Sequence, residues 1–149
     1  MAINSKQLRK YIIKPALEGL NLWSQEAEDL VYGTCAQESG CGYYLHQLGT
    51  GPACSIYQIE PRTHQDLVKY VEKTEYINWF KSITRTFDTK TLTYNLLYAT
   101  GMCRMYYYRV PEKIPTTIEG LAEYWKKYYN TVKGKGTVKQ FIENYHKYE

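Results

Sequence analysis

The segment that most constrains the fold of this chain runs from Ser24 to Gly40. Its small and apolar residues recur at helical spacing and form one stripe, which consists of Ala27, Leu30, Val31, Thr34 and Cys35. The next position on that stripe is Glu38. A carboxylate on the buried face of a helix is costly unless it is paired, protonated or used in chemistry. Because Gly40 ends the helix, Glu38 either lies where the core opens into a loop, as a general acid would, or turns out to water.

Helix signals continue on both sides of this segment. An apolar helix is predicted from about Thr91 to Tyr108, ending before Pro111, as the central buried rod of the fold. Asn4 or Ser5 opens a first helix, which the Lys14-Pro15 pair is expected to kink or break.

Capping patterns predict three more helices, one of which runs to about residue 73. The capping pairs are Thr63 with Asp66, Thr116 with Glu119 and Thr137 with Gln140. Residues 56–59 are predicted to be briefly extended, and residues 78–90 to be a surface excursion. The chain is therefore expected to be one mainly α domain, residues 1–149, with a short β element.

Composition is typical of one small globular domain. The 149 residues are 44% hydrophobic and 23% charged, which is enough to bury a core and argues against disorder. The 17 tyrosines outnumber the 3 phenylalanines, and a tyrosine ring suits stacking on sugars with its hydroxyl at a groove edge. Tyrosines at helical spacing are instead expected in or beside the core, namely Tyr94, Tyr98, Tyr106 and Tyr107.

Charge and cysteine usage exclude several classes of protein. The net charge of +4 fits an anionic polymer, but no dense basic cluster interleaves with aromatics, so no nucleic-acid partner is expected. The four cysteines lack zinc-site spacing, and no metal or cofactor is predicted. Buried thiols are expected, with a Cys41–Cys54 bridge left open. Neither a signal peptide nor an integral membrane segment is visible.

Three separated motifs resemble the soluble lytic transglycosylase family of the lysozyme superfamily, and bacteriophage-encoded members in particular. Glu38-Ser39 precedes a glycine-bearing loop, and residues 53–59 (ACSIYQI) follow, where the family has Ala-x-Gly-Leu-Met-Gln-Ile. Residues 128–131 (YYNT), followed by 134–136 (GKG), are similar to the family's Ala-Tyr-Asn-Ala-Gly-x-Gly. The resemblance extends from Leu30 to Gly136 and implies a lysozyme-like α+β fold with the β element beside a groove.

The resemblance implies a site as well as a fold. Glu38 is expected to act as the single catalytic acid and base on the bond between N-acetylmuramic acid and N-acetylglucosamine. Tyr57 and Gln58 are expected to bind sugar substituents, and Tyr129 to orient Glu38 by a hydrogen bond. Asn130 is expected either in the groove or in its own turn. Ser55 stands where the family has glycine, and Thr50 lies near the position of the family's loop serine, so both are also expected to contact the substrate.

Two alternatives remain open from the sequence. A hydrolytic muramidase needs a second carboxylate to activate water, and Glu60 and Asp66 are the nearby candidates. Glu60 alternates with Gln58, so on an extended segment both would point the same way. A catalytically inactive virion protein of the same fold is the other alternative, since fold alone does not confer activity. The expected partners are peptidoglycan glycan strands and, for a phage protein, other virion proteins. The expected location is the virion or the host cytoplasm, from which the protein would act on the periplasmic wall.

Overall fold

The computed structural model describes residues 1–130 and 134–149 of the chain. The fold is mainly helical, as the sequence predicts. The helices, in chain order, are α1 (Ser5–Leu8), α2 (Lys14–Gly19), α3 (Gln25–Ser39), α4 (Pro61–Glu72), α5 (Ile77–Ile83), α6 (Thr89–Tyr94), α7 (Leu96–Tyr108), α8 (Ile118–Trp125) and α9 (Val138–Tyr148). In the described part of the chain, β structure is confined to two isolated antiparallel pairings, His46 with Cys54 and Cys54 with Ile59.

Two helices contain a wider π turn. One, Arg9–Ile13, joins α1 to α2, and the other, Lys126–Asn130, continues α8. The first π turn allows the chain to pass through Lys14-Pro15 without a break in the helix. The Lys14 N–H bonds to the Arg9 carbonyl, and the backbone keeps right-handed helical angles. The expected interruption is therefore a π turn that absorbs the proline.

Side-chain caps set most of the helix starts. Ser24 accepts a hydrogen bond from the Ala27 N–H at 3.1 Å, and Gly40 ends the same helix in the left-handed region with φ 60°. The predicted capping box between Thr137 and Gln140 is present in both halves. Asn4 caps the first helix through the Gln7 N–H.

Other predicted boundaries are wrong, each for a local reason. The helix predicted from residue 91 to 108 is divided at Asn95, whose extended backbone and side chain cap α7. Thr117, rather than Thr116, caps α8. The Thr63 capping box does not form, because Pro61 occupies the first helical position and starts α4 earlier.

The two remaining corrections concern surface exposure. Residues 78–90 are not simply a surface excursion, since they include most of α5, where Phe80 is fully buried. Tyr98 and Tyr107 lie in the core as predicted, but Tyr94 is 68% exposed because it is the last residue of α6.

Two helices, α3 and α7, form the centre of the core. The predicted stripe of α3 is fully buried, and the burial extends to Tyr32, Gly33 and Ala36 on its other faces. This is because α7, α8, α9 and the first π turn all pack against α3. Gly33 permits a close approach of α9, since a Cβ there would come within 2.4 Å of the Phe141 ring. The C-terminal end of α3 is thereby held from several directions.

All four cysteines are buried free thiols, so the Cys41–Cys54 bridge does not form. Among the described helices, none has the length and apolar character needed to cross a bilayer.

Candidate active site

A groove of about 560 Å³ opens where α3 ends. Its walls come from the end of α3, the 44–60 segment, the start of α4, the last turn of α7 and the second π turn. The residues that line it are Glu38, Tyr44, Gln47, Ala53, Gln58, Ile59, Glu60, Thr63, Tyr106, Tyr129, Asn130 and Gly134. Half of these residues carry neutral amides or phenols, and no lysine or arginine is among the described lining residues.

Glu38 lies in the last turn of α3 and is half-buried at the groove wall. One carboxylate oxygen, Oε2, accepts a hydrogen bond of 2.9 Å from the indole Nε1 of Trp125. The backbone carbonyl of Glu38 accepts a hydrogen bond of 2.7 Å from the Tyr44 hydroxyl. The side chain therefore does not swing into bulk water, which was one of the two outcomes that the sequence left open.

The surroundings of Glu38 favour its neutral form. Burial raises the pKa of Glu38 to about 7, and the Trp125 hydrogen bond opposes part of that rise. The end of α3 adds an unfavourable field for an anion, because the negative end of a helix dipole lies there. A carboxyl group that titrates near neutral pH is able both to donate and to accept a proton under physiological conditions.

Ser39, the second residue of the Glu-Ser pair, is structural. Its hydroxyl is fully buried, donates to the Ile56 carbonyl at 2.7 Å and accepts from the Gly42 N–H at 2.9 Å. These bonds connect the end of α3 to the segment that forms the groove floor.

That floor is a tight turn rather than the predicted extended segment. Cys54 and Ile59 exchange backbone hydrogen bonds of 2.8 Å across it, and Ser55 and Gln58 adopt left-handed φ values of 78° and 52°. The Gln58 amide donates to the Ser55 carbonyl at 2.8 Å, which holds the side chain at the groove surface. The argument that Gln58 and Glu60 alternate on one strand is therefore wrong, although both do line the groove.

Two of the predicted sugar-binding side chains are not available to the groove. Tyr57 is fully buried, and its hydroxyl bonds to that of Thr100 at 2.7 Å. Ser55 is also fully buried, and its hydroxyl accepts from the Tyr57 N–H at 3.1 Å. Both side chains stabilise the turn, which is why bulky and polar residues are tolerated there.

Tyr129 and Asn130 lie on the second π turn and reach the groove. The Tyr129 hydroxyl donates to the Tyr57 carbonyl, and its ring stacks on Tyr107 with centroids 5.3 Å apart. The predicted hydrogen bond from Tyr129 to Glu38 is therefore wrong, because Tyr129 uses its hydroxyl to support the floor turn. Asn130 lines the groove and also accepts a hydrogen bond of 2.7 Å from Lys126 within its own turn. Thr131, the last residue of the quoted YYNT motif, lies outside the described residues.

The remaining predicted residues divide between the rim and the outside of the groove. Glu60 is exposed and lines the rim at the residue before α4. Thr50 is exposed in the loop and does not line the groove, whereas Gln47 from the same loop does. Asp66 is exposed on α4, also outside the lining.

Sequence reasoning missed several lining or supporting residues, namely Tyr44, Gln47, Thr63 and Trp125, and it assigned Tyr106 only to the core or its margin. Trp125 is 87 residues from Glu38 in sequence, so no local pattern connects the two. The one sequence signal for Trp125 was its position on a capped apolar helix that leads directly into the YYNT motif, and hence close in sequence to a groove residue.

The groove thus combines Glu38, a carboxyl group that titrates near neutral pH, with hydrogen-bonding amides and phenols and with a second acidic residue, Glu60, at its rim. In the described part of the chain, no three metal-ligating side chains converge on a common point. Comparisons of the chain with protein-family models, curated proteins and solved structures found no match.

Proposed function

We propose that this chain is a peptidoglycan lytic transglycosylase of lysozyme-like fold. It would cleave the bond between N-acetylmuramic acid and N-acetylglucosamine with Glu38 as its single acid and base. The observation that carries the proposal is Glu38 itself, a half-buried carboxyl group without a cationic partner among the groove-lining residues, whose pKa burial raises to about 7.

The proposed mechanism uses Glu38 in both protonation states. The neutral acid donates its proton to the glycosidic oxygen as the bond from that oxygen to the muramyl C1 breaks, with the substrate's acetamido oxygen assisting. The resulting carboxylate then removes the proton of the muramyl C6 hydroxyl, whose oxygen bonds to C1 and closes a 1,6-anhydro ring. Glu38 ends the cycle protonated, so no water is consumed and no second carboxylate is needed.

The amides and phenols of the groove suit this substrate class. Gln58 and Asn130 offer amide groups for acetamido and hydroxyl substituents, and Tyr106 and Tyr129 line the groove with aromatic rings. Phosphate-rich polymers are disfavoured, because the described lining has two carboxylates and no lysine or arginine to offset them.

A hydrolytic muramidase is the second candidate, and the position of Glu60 favours it. Glu60 lines the same groove as Glu38 and is exposed, so it is able to hold and activate a water molecule. The two candidates differ in product, since hydrolysis leaves a reducing end and transglycosylation leaves an anhydro ring.

Purified sacculi treated with the protein, followed by mass spectrometry of the released muropeptides, separate the candidates. Anhydro-muropeptides are expected from the wild type and from Glu60→Gln, but not from Glu38→Gln. Reducing muropeptides that disappear in Glu60→Gln would establish the muramidase instead. If the folded wild type releases nothing, the enzymatic proposal fails, and the inactive virion protein becomes the better account. Purified phage particles that contain the chain would support a virion location and virion partners.

A further inference from the structure

Trp125 donates a hydrogen bond to one of the two carboxylate oxygens of Glu38 and not to the other. The indole N–H is a donor only, so the oxygen it contacts, Oε2, must act as an acceptor in either protonation state. No described residue bonds to the other oxygen, Oε1. In the described part of the chain, every buried side-chain oxygen has a hydrogen-bond partner. Because Oε1 has none, it is not buried, and it is open to the groove that Glu38 lines.

We propose that Trp125 is a positioning residue that confines the transferable proton of Glu38 to Oε1, the oxygen that faces the substrate. This inference rests on the proposed function and adds to it the atom that carries the proton. In a neutral carboxylic acid the carbonyl-type oxygen is the better acceptor, so a donor fixed on Oε2 leaves the O–H on Oε1. After the proton leaves for the glycosidic oxygen, the same indole stabilises the carboxylate that remains.

The indole is rigidly held, as this role requires. Trp125 is fully buried as the last residue of α8, and its ring lies 5.4 Å from that of Phe141 on α9. Gly136 packs directly on it, since a Cβ at that position would come within 2.5 Å of the indole Cη2. Helix α9 contributes no residue to the described groove lining. Its Phe141 packs against the Trp125 ring, however, and Trp125 in turn holds the Glu38 carboxyl group.

Substitution of Trp125 with Phe tests the inference with a readout other than cleavage. The variant keeps an aromatic ring but loses the donor that favours the ionised form, so the midpoint of the Glu38 carboxyl titration in ¹³C NMR should rise. We expect a rise of roughly one pH unit, a tenfold change in ionisation constant. The alkaline limb of the cleavage pH profile should move the same way, and kcat should fall more than KM changes.

The matched control is Trp23→Phe, which removes an indole donor from Glu28 on the same helix. It should leave the Glu38 midpoint unchanged. If Trp125→Phe also leaves both the midpoint and the pH profile unchanged, the positioning role is wrong even though the wild type cleaves glycan.

A measurement on the wild type covers the case in which Trp125→Phe does not fold. The ¹⁵N and ¹H resonances of the Trp125 indole should shift with pH at the same midpoint as the Glu38 carboxyl, and this shift should vanish in Glu38→Gln. An indole resonance that stays constant while Glu38 titrates would overturn the inference. Because neither titration requires cleavage, a coupled titration in a protein that releases no muropeptides would reject the proposed function alone.

Discussion

Helix α3 carries a buried or half-buried glutamate near each end, and the two have very different surroundings. Glu28 accepts hydrogen bonds from Arg9 Nη1 at 2.8 Å and from the indole of Trp23 at 3.0 Å. Glu38, roughly 15 Å further along the axis, also accepts an indole hydrogen bond, but it has no cationic partner among the described residues and faces a groove. Both carboxylates have a tryptophan donor, and only the first has an arginine.

The two glutamates therefore differ mainly in the partners of their carboxylates. Glu28 lies in the first turns of α3, near the positive end of the helix dipole, and forms an ion pair of 2.8 Å with Arg9. Glu38 lies at the opposite end, where the dipole disfavours an anion. The first arrangement stabilises a fold, and the second leaves a proton available near neutral pH.

The largest expected difference between the two glutamates is in activity. Glu38→Gln should lower glycan cleavage by roughly 10²–10⁴-fold while the protein stays folded, because glutamine keeps the side chain's shape but transfers no proton. Glu28→Gln is the matched change and should leave cleavage per folded molecule nearly unaltered. The measurement is muropeptide release from sacculi, with circular dichroism to confirm folding. Equal losses in both variants would end the distinction between them.

The next largest effect concerns the paired end of the helix. Arg9→Met should destabilise the protein by roughly 3 kcal/mol, because it leaves Glu28 and Asp29 without the guanidinium that bonds to both. It also removes the contact of Arg9 with the Tyr32 ring, 4.3 Å from its centroid. Chemical denaturation measures the change. A loss under roughly 0.5 kcal/mol would mean that solvent already screens this cluster.

Removal of the Glu38 carboxyl group should change stability in the opposite direction from Arg9→Met. The folded-state pKa of Glu38 is raised, so its ionisation costs stability as pH rises from about 4.5 to about 7. The cost is absent below that window and reaches about 3 kcal/mol above it. Glu38→Gln should therefore match the wild type near pH 4, where Glu38 is neutral, and exceed it by about 3 kcal/mol near pH 8, because the glutamine has no ionisation cost. A stability gain that does not depend on pH would contradict this explanation.

The smallest expected effect tests whether Tyr129 acts on the floor turn or on Glu38. Tyr129→Phe should cost about 1 kcal/mol, because the Tyr57 carbonyl loses its partner. The alkaline limb of the cleavage pH profile should stay where it is, since Tyr129 does not contact the carboxyl group. A shift of that limb comparable to the one expected for Trp125→Phe would assign the orienting role to Tyr129 after all.

Local sequence signals predict the helix that carries Glu38 well, but they predict the rest of the groove poorly. The Ser24 cap, the buried stripe and Gly40 are short-range features, so the position of Glu38 follows from them. The floor turn does not, because Ser55 and Gln58 adopt left-handed backbone conformations that neither residue type signals. Trp125 reaches Glu38 only through the packing of α8 and α9 against α3. The residue that supplies the predicted hydrogen bond is thus set by tertiary contacts and not by a motif.

Glu38 is expected to hold a proton near neutral pH because it is buried and no described residue places a cation beside it. The most direct test is a ¹³C NMR titration of the Glu38 side-chain carboxyl in the wild-type protein, assigned by comparison with Glu38→Gln. We predict a midpoint of about 7. A midpoint near the ordinary value of 4.5 would contradict the claim, because the group would then be an anion at neutral pH and unable to serve as the acid.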